Sequence, residues 1–364
     1  MRTPRIDTLL RAAAHRKGVI SFAGGLPAPE TFPRAELATA AEEATCAMGE
    51  APLQYDWPEG RGTLRQIIAS RLNARGARVD PEDVHITNGA QDALSLALDV
   101  LQPTEVHVDH ATYPGALDIF AAKGVRTFAS QAAQVWYVMP AVHNPWGWTL
   151  KAEDRERVLK AAIILEDDAY ADLLFEGPAP RPLLADAPQK TFAMGTFSKT
   201  VSPGLRVGWL VAPQMWRSRL REAKQRRDVQ AGGLAQAMVE RLLMRGGFDE
   251  RLEKLRAHYQ DRCERLLALL PKVHGIRFGW PQGGFSVWVE TEGFDSDERL
   301  LARALVHGVA FDPGTLFRAE PHLHSTLSFR LSFSAVPMDQ MEEGVTRLAK
   351  ALDEARAAKR PVAA

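Results

Sequence analysis

The sequence predicts an α/β fold, a mostly parallel central sheet sandwiched by helices and joined to a smaller α+β domain. Three observations predict it. From about residue 35, short apolar runs of strand length alternate with stretches of helical periodicity, the pattern of a layered domain with a buried parallel sheet. Several of these runs end in polar or acidic residues, and ligands of open α/β sheets sit beyond the carboxyl ends of the strands. After about residue 245 the texture changes to a long amphipathic stretch, then strands and a closing helix.

Taken in order, buried parallel strands are expected at 84–87, 106–108, 135–139, 163–166, 191–194 and 207–211, each an apolar run too short for a helix. An amphipathic helix follows at 248–270, then strands at 284–290, 309–311 and 327–333 and a helix at 338–356. The large domain is set at 33–245 and the small one begins at 246 and runs to 364. A chain of 364 residues, 46% hydrophobic and 25% charged, has room for two such lobes. There is no internal repeat, and the residues from about Ala357 read as a frayed tail.

Composition narrows the function classes. Lys plus Arg and Asp plus Glu number 45 each, which argues against nucleic acid or an anionic membrane surface as partner. The basic run from Arg217 to Arg227 reads as the solvated face of a helix. No apolar run reaches the length of a membrane span and no signal-type core follows the N-terminus, so a cytoplasmic protein is expected. Cys46 and Cys263 sit far apart in helical-looking sequence and read as reduced thiols. The ten histidines form no zinc-type pair, His322 and His324 being two apart in a loop, and no metal is expected.

The segment 195–208, Gly-Thr-Phe-Ser-Lys-Thr-Val-Ser-Pro-Gly-Leu-Arg-Val-Gly, carries the most chemistry. The hydroxyls of Thr196 and Ser198, with Arg206 seven residues beyond Lys199, suit a phosphate dianion. A phosphate beside a lysine suggests a phosphorylated aldehyde; alone, Lys199 also reads as a surface lysine in a loop. Upstream, a buried strand runs into acids at Glu166-Asp167-Asp168, with Tyr170 close behind. Asn144-Pro145-Trp146-Gly147 follows another strand, a common turn opening. Thr87-Asn88-Gly89-Ala90-Gln91 opens a helix after a strand, which puts the amides of Gly89, Ala90 and Gln91 at an intrinsic phosphate site. Tyr113 reads either as a ring platform or as a core tyrosine. On strand 327–333, alternation sends Arg330 one way and Phe329, Leu331 and Phe333 the other.

Together these segments resemble those of the class I and II aminotransferases, fold-type I enzymes that depend on pyridoxal 5'-phosphate, and within them the 2-aminoadipate aminotransferase-like branch. The resemblance extends from about Ile6 to Leu352. It implies that Lys199 carries the cofactor as a Schiff base, Asp167 faces its pyridine nitrogen and Tyr170 its phenolic oxygen. It implies further that Tyr113 stacks on the ring and that Asn144 donates to the phenolic oxygen and touches the substrate. Gly89, Ala90, Gln91, Thr196, Ser198 and Arg206 would hold the phosphate. Arg330 would take the substrate α-carboxylate beneath a glycine loop that includes Gly25. Tyr55 would be donated to the neighbouring subunit's phosphate, so a homodimer is implied, with residues 1–32 joining the small domain. The implied reaction is transamination between an amino acid and a 2-oxo acid, with glutamate and 2-oxoglutarate as one pair. Another reaction of the same cofactor, β-elimination, decarboxylation or racemisation, is the alternative. A cofactor-sensing regulator is disfavoured, since no winged helix fits before Ile6 and there is no basic excess.

The sequence departs from the family in three places. Trp146 stands where relatives have Thr, and Ala90 where they often have Ser. Relatives also carry an extra strand, loop and crossover helix between Tyr113 and Tyr137, where this chain has only a short segment. Parallel strands in succession need a crossover of about a dozen residues. A six-stranded sheet lacking the edge strand is therefore expected. Side-chain selection falls by resemblance on a helix near the N-terminus, where Arg5, Asp7 and Arg11 remain open candidates.

Overall fold

The computed structural model describes residues 17–130, 132–292, 294, 296–320 and 327–357. His322, His324, Arg5, Asp7 and Arg11 lie outside the described residues. The strands are β1 Ile20–Phe22, β2 Val84–Thr87, β3 Glu105–His107, β4 Arg126–Phe128, β5 Val135–Val138, β6 Ile163–Asp167, β7 Thr191–Thr196, β8 Gly208–Val211, β9 Ile276–Phe278, β10 Ser286–Thr291, β11 Val309–Pro313 and β12 Leu327–Ser332. The α-helices are α1 Arg34–Glu42, α2 Gly62–Ala74, α3 Ala90–Leu101, α4 Pro114–Ala122, α5 Ala152–Val158, α6 Arg217–Asp228, α7 Gly233–Met244, α8 Phe248–Leu269, α9 Asp297–Val306 and α10 Met341–Ala357.

Seven strands form the large sheet in the order β2-β8-β7-β6-β5-β3-β4. Alternation along its strands divides the core. Tyr137, Leu165, Phe192, Met194 and Leu210 pack with α3, α4 and α6 on one face, while Trp136, Val138 and Ile164 pack against α5 on the other. Both faces are therefore apolar, which explains the near-continuous hydrophobic runs. β8 is the exception to parallel order, antiparallel to both β2 and β7. A second sheet, β1-β11-β12-β10-β9, draws its first strand from the N-terminal segment, with Ile20 level with Val309.

The expectation of a missing edge strand is wrong. Arg126–Phe128 pairs in parallel with β3, Glu105 opposite Arg126 and His107 opposite Phe128, so the sheet has seven strands. The crossover argument supposed that β5 begins again at the level where β4 begins. Instead β5 meets β3 only through His107 and Trp136, level with the end of β4. The segment 129–134 need only step sideways past the tip of β3, about 10 Å for two strand spacings. Six extended residues reach about 20 Å.

The basic run on α6 is also not a plain solvated face. Arg217 pairs with Asp83, Arg221 with Glu59, and Arg227 with Asp92 and Asp99, while Lys224, its side chain 1% exposed, pairs with Asp228. A lysine at that depth persists only when paired.

Candidate active site

The site forms where the parallel strands end. Thr196 and Gly208 close the ladder between β7 and β8, so the chain leaves and returns at one point. Because β8 runs antiparallel, Lys199 and Arg206 sit on the two limbs of one loop. The loop is pinned by Thr196, whose Oγ1 donates to the Val207 carbonyl (3.0 Å), accepts the Ser198 amide (3.1 Å) and pairs with Ser198 Oγ (2.8 Å). Gly208 has to be small, because a Cβ there would stand 2.7 Å from the backbone of Gly89.

A cavity of about 140 Å³ is lined by Ala90, Gln91, Tyr113, Asn144, Asp167, Tyr170, Thr196, Ser198, Lys199 and Arg206. Sequence reasoning named all of these; Met139, Val142, Ala169 and Pro203 also line it. Lys199 Nζ lies over the rings of Tyr170 (5.3 Å) and Phe285 (5.7 Å), and burial pushes its pKa below the usual lysine range. Burial raises the Tyr170 phenol to about 12 and also raises that of Tyr113, which accepts from Gln91 Nε2 at 2.8 Å.

Asp167 ends β6 on the same face as Tyr137. The Tyr137 hydroxyl donates to its Oδ2 at 2.6 Å, and the Ala169 amide donates to Oδ1 at 3.2 Å. Burial raises the carboxyl pKa, and those two donors pull it back. Tyr137 was missed as a site residue; the available signal was a single hydroxyl inside an otherwise apolar strand. Its neighbour Glu166 points to the opposite face, where it accepts the amides of Leu183 (2.7 Å) and Leu184 (2.9 Å). Asp168 pairs with Arg75 at 2.5 Å.

At the other end, Gly89 precedes α3 at φ 92, and Arg206 Nη2 donates to the Asn88 carbonyl at 2.8 Å. A Cβ on Gly89 would stand 2.7 Å from Arg206 Nη2, so only glycine admits the guanidinium. Helix amides, two hydroxyls and an arginine thus converge on one corner.

Arg330 on β12 is anchored from two sides. Its Nε (3.1 Å) and Nη2 (2.7 Å) donate to Asp312 Oδ2, and Nη1 donates to Asn144 Oδ1 (2.9 Å). Of the five N–H groups a guanidinium carries, two remain, one on each terminal nitrogen. Gly25, at φ 58, brings its loop against this group, since a Cβ there would lie 3.1 Å from Nη2. Asp312, which sequence reasoning gave no role, also accepts the Gly24 amide at 2.9 Å and so ties that loop to the arginine. Trp146 does not line the cavity; it stacks on Trp148 (5.0 Å) and leans on Trp288 (5.5 Å), the residue opposite Arg330. Tyr55 stands apart, 79% exposed.

This donor set fits pyridoxal 5'-phosphate. A buried amine of lowered pKa suits an aldehyde, a buried carboxylate suits a pyridinium, and the corner of amides, hydroxyls and guanidinium suits a phosphate.

Comparison with known proteins agrees. Residues 18–348 match the model of the family described as aminotransferase class I and II. The chain is 36% identical to a 2-aminoadipate transaminase of Thermus thermophilus, over 93% of this chain and 91% of that one. The crystal structure of LysN, α-aminoadipate aminotransferase, from the same organism, complexed with N-(5'-phosphopyridoxyl)-L-leucine, superposes with a TM-score of 0.87 at 34% identity, covering 98% of this chain and 96% of that one. A Pyrococcus horikoshii kynurenine aminotransferase gives a TM-score of 0.88 at 28% identity, covering 97% and 95%. The chain therefore belongs to the class I and II aminotransferases and is a fold-type I, pyridoxal 5'-phosphate-dependent transaminase.

Proposed function

We propose that this transaminase moves the α-amino group of an amino acid to a 2-oxo acid, with glutamate and 2-oxoglutarate as one of its pairs. The observation that carries this reading is the meeting of a buried lysine, a buried carboxylate and Arg206 around one cavity, with the anchored Arg330 beside it. Lys199 holds the cofactor covalently, its lowered pKa keeping more of the amine neutral. Asp167 faces the ring nitrogen, Tyr170 and Asn144 the phenolic oxygen, and Tyr113 the ring face. Gly89, Ala90, Gln91, Thr196, Ser198 and Arg206 hold the phosphate. When bound, pyridoxal 5'-phosphate supplies an aldehyde for the amino group and a ring that draws off the electron pair released at the substrate α-carbon.

The two spare N–H groups of Arg330 take the substrate α-carboxylate as a fork, a geometry lysine cannot reproduce. The Gly25 loop covers that end and limits water. In this reading Lys199 Nζ would take the α-proton from the substrate and deliver it to the cofactor's aldehyde carbon, so that the α-carbon leaves as a 2-oxo acid. Relatives named for 2-aminoadipate and for kynurenine support a broad substrate range.

The large domain in this reading is 33–245, and the small one is 1–32 with 246–364. The enzyme works as a cytoplasmic homodimer in which Tyr55 completes the neighbouring site. Exposure of Leu53, Tyr55 and Trp57 on one loop supports the dimer, and the unpaired Cys46 and Cys263 support a reducing compartment.

The test is the absorbance spectrum of the cofactor-loaded enzyme as amino acids are added singly without an oxo acid. Conversion of the visible band to the near-ultraviolet band of the amino form, with one equivalent of oxo acid released, is expected. Release of ammonia or carbon dioxide instead would assign a different reaction.

A further inference from the structure

Asn88 does not line the cavity and has no role assigned above beyond its place in the Thr87–Gln91 turn, yet three of its polar groups are engaged at the phosphate corner. Its amide N–H donates to Asp92 Oδ2 at 2.9 Å, its Nδ2 donates to Asp228 Oδ2 at 2.8 Å, and its carbonyl accepts Arg206 Nη2 at 2.8 Å. Both carboxylates are held in turn by α6. Arg227 Nε meets Asp92 Oδ1 at 2.9 Å, and the buried Lys224 Nζ meets both oxygens of Asp228 at 3.0 and 2.9 Å. α6 stops at this corner on Val229, a β-branched residue at φ 63. A backbone outlier of that kind persists only where its surroundings hold it.

Each ion pair in this brace is neutral, so the brace adds little field of its own. What it fixes is position. Asn88 is the residue between β2 and the Gly89 start of α3, and its carbonyl is the acceptor that holds Arg206. Moving Asn88 moves the helix amides and the guanidinium together.

We infer that Asn88, clamped by the Lys224–Asp228 pair of α6, is a positioning residue that sets the geometry of the phosphate corner and thereby the enzyme's preference for a phosphorylated cofactor. The inference rests on the reading that the phosphate lies at Arg206 and the start of α3. Lys199, Asp167 and Tyr113, which in this reading meet the aldehyde and the ring, are not themselves hydrogen-bonded by the brace.

The experiment is equilibrium binding of pyridoxal 5'-phosphate and of unphosphorylated pyridoxal to the full-length apoenzyme and its variants, with far-ultraviolet circular dichroism and Tm confirming that each is folded. Asn88→Ala and Asp228→Ala are expected to weaken the phosphorylated ligand about ten-fold, the loss of one charge-assisted contact, while pyridoxal stays within about two-fold. The double variant Lys224→Met with Asp228→Asn leaves Asn88 a neutral acceptor without the charge that clamps it, so it is expected to weaken the phosphorylated ligand, though less than Asp228→Ala does, with pyridoxal within about two-fold. Equal weakening of both ligands in Asn88→Ala, or none, overturns the inference. Arg206→Gln separates the two levels. If it leaves the preference for the phosphorylated ligand intact, the placement of the phosphate itself is wrong. If it abolishes that preference while Asn88→Ala does not, only the brace is wrong.

Discussion

Tyr137 and Asp312 act, in the proposed reaction, one step away from the reacting groups. The Tyr137 hydroxyl is the nearest donor to the Asp167 carboxylate, and Asp312 turns Arg330 into a fixed fork. Removing a donor from a buried carboxylate destabilises its charged form, so Tyr137→Phe raises the Asp167 pKa further. In the proposed reaction the ionised Asp167 is the active form, so protonation on the acid side would cost activity at a higher pH than before. The acid limb of kcat/KM in Tyr137→Phe is therefore expected to move upward, with the alkaline limb unmoved; an unshifted acid limb would detach Tyr137 from the chemistry. Lys199, Asp167 and Arg206 were legible because each belongs to a short run whose spacing carries meaning. Tyr137, Asp312 and Asn88 were not, since their partners lie 30, 18 and 140 residues away and only the fold brings them together.

Among the elements, the central strands of the large sheet were legible because they are buried on both faces and their runs are mostly apolar. β4 was not: it has three residues, none buried, at the sheet edge, and so carries no apolar signature. Its register gives a direct test. The Arg126 amide donates to the Thr104 carbonyl at 3.0 Å, and alternation turns the Thr127 amide outward. Arg126→Pro is expected to lower stability by about 2 kcal/mol through the lost ladder bond and local strain, whereas Thr127→Pro costs clearly less. Thermal denaturation of the two variants reads the difference. Equal losses would mean that β4 is not paired in this register. The antiparallel sense of β8 was likewise hidden, because a strand buried on both faces gives the same apolar run in either direction.

For the whole molecule, the addition of the N-terminal segment to the smaller domain was implied by family resemblance rather than by any pattern in residues 20–22, which pair with residues 309–311 in the second sheet. The proposed homodimer has a decisive test. Lys199→Ala removes the lysine of its own site, while a Tyr55 variant weakened in cofactor retention affects the neighbouring site. Mixed and re-equilibrated, the two variants would yield hybrid dimers in which one site holds both native residues. Activity above that of either variant alone is expected in the mixture; activity equal to their average would confine Tyr55 to its own subunit or to no site.

The hairpin between β7 and β8 has a consequence for the order in which the site comes into being. Lys199, Arg206, Asp167 at the end of β6 and Tyr113 at the start of α4 have all been made once residue 211 has been added, whereas Arg330 lies on β12, the last strand in chain order. At ribosomal speeds of about 5–20 residues per second, roughly ten seconds of synthesis separate the two. In the proposed reading, the residues that would line the cofactor's cavity are made before the arginine that would receive the substrate. In the proposed reading, birth order along the polypeptide thus repeats the order of loading, coenzyme first and amino acid second.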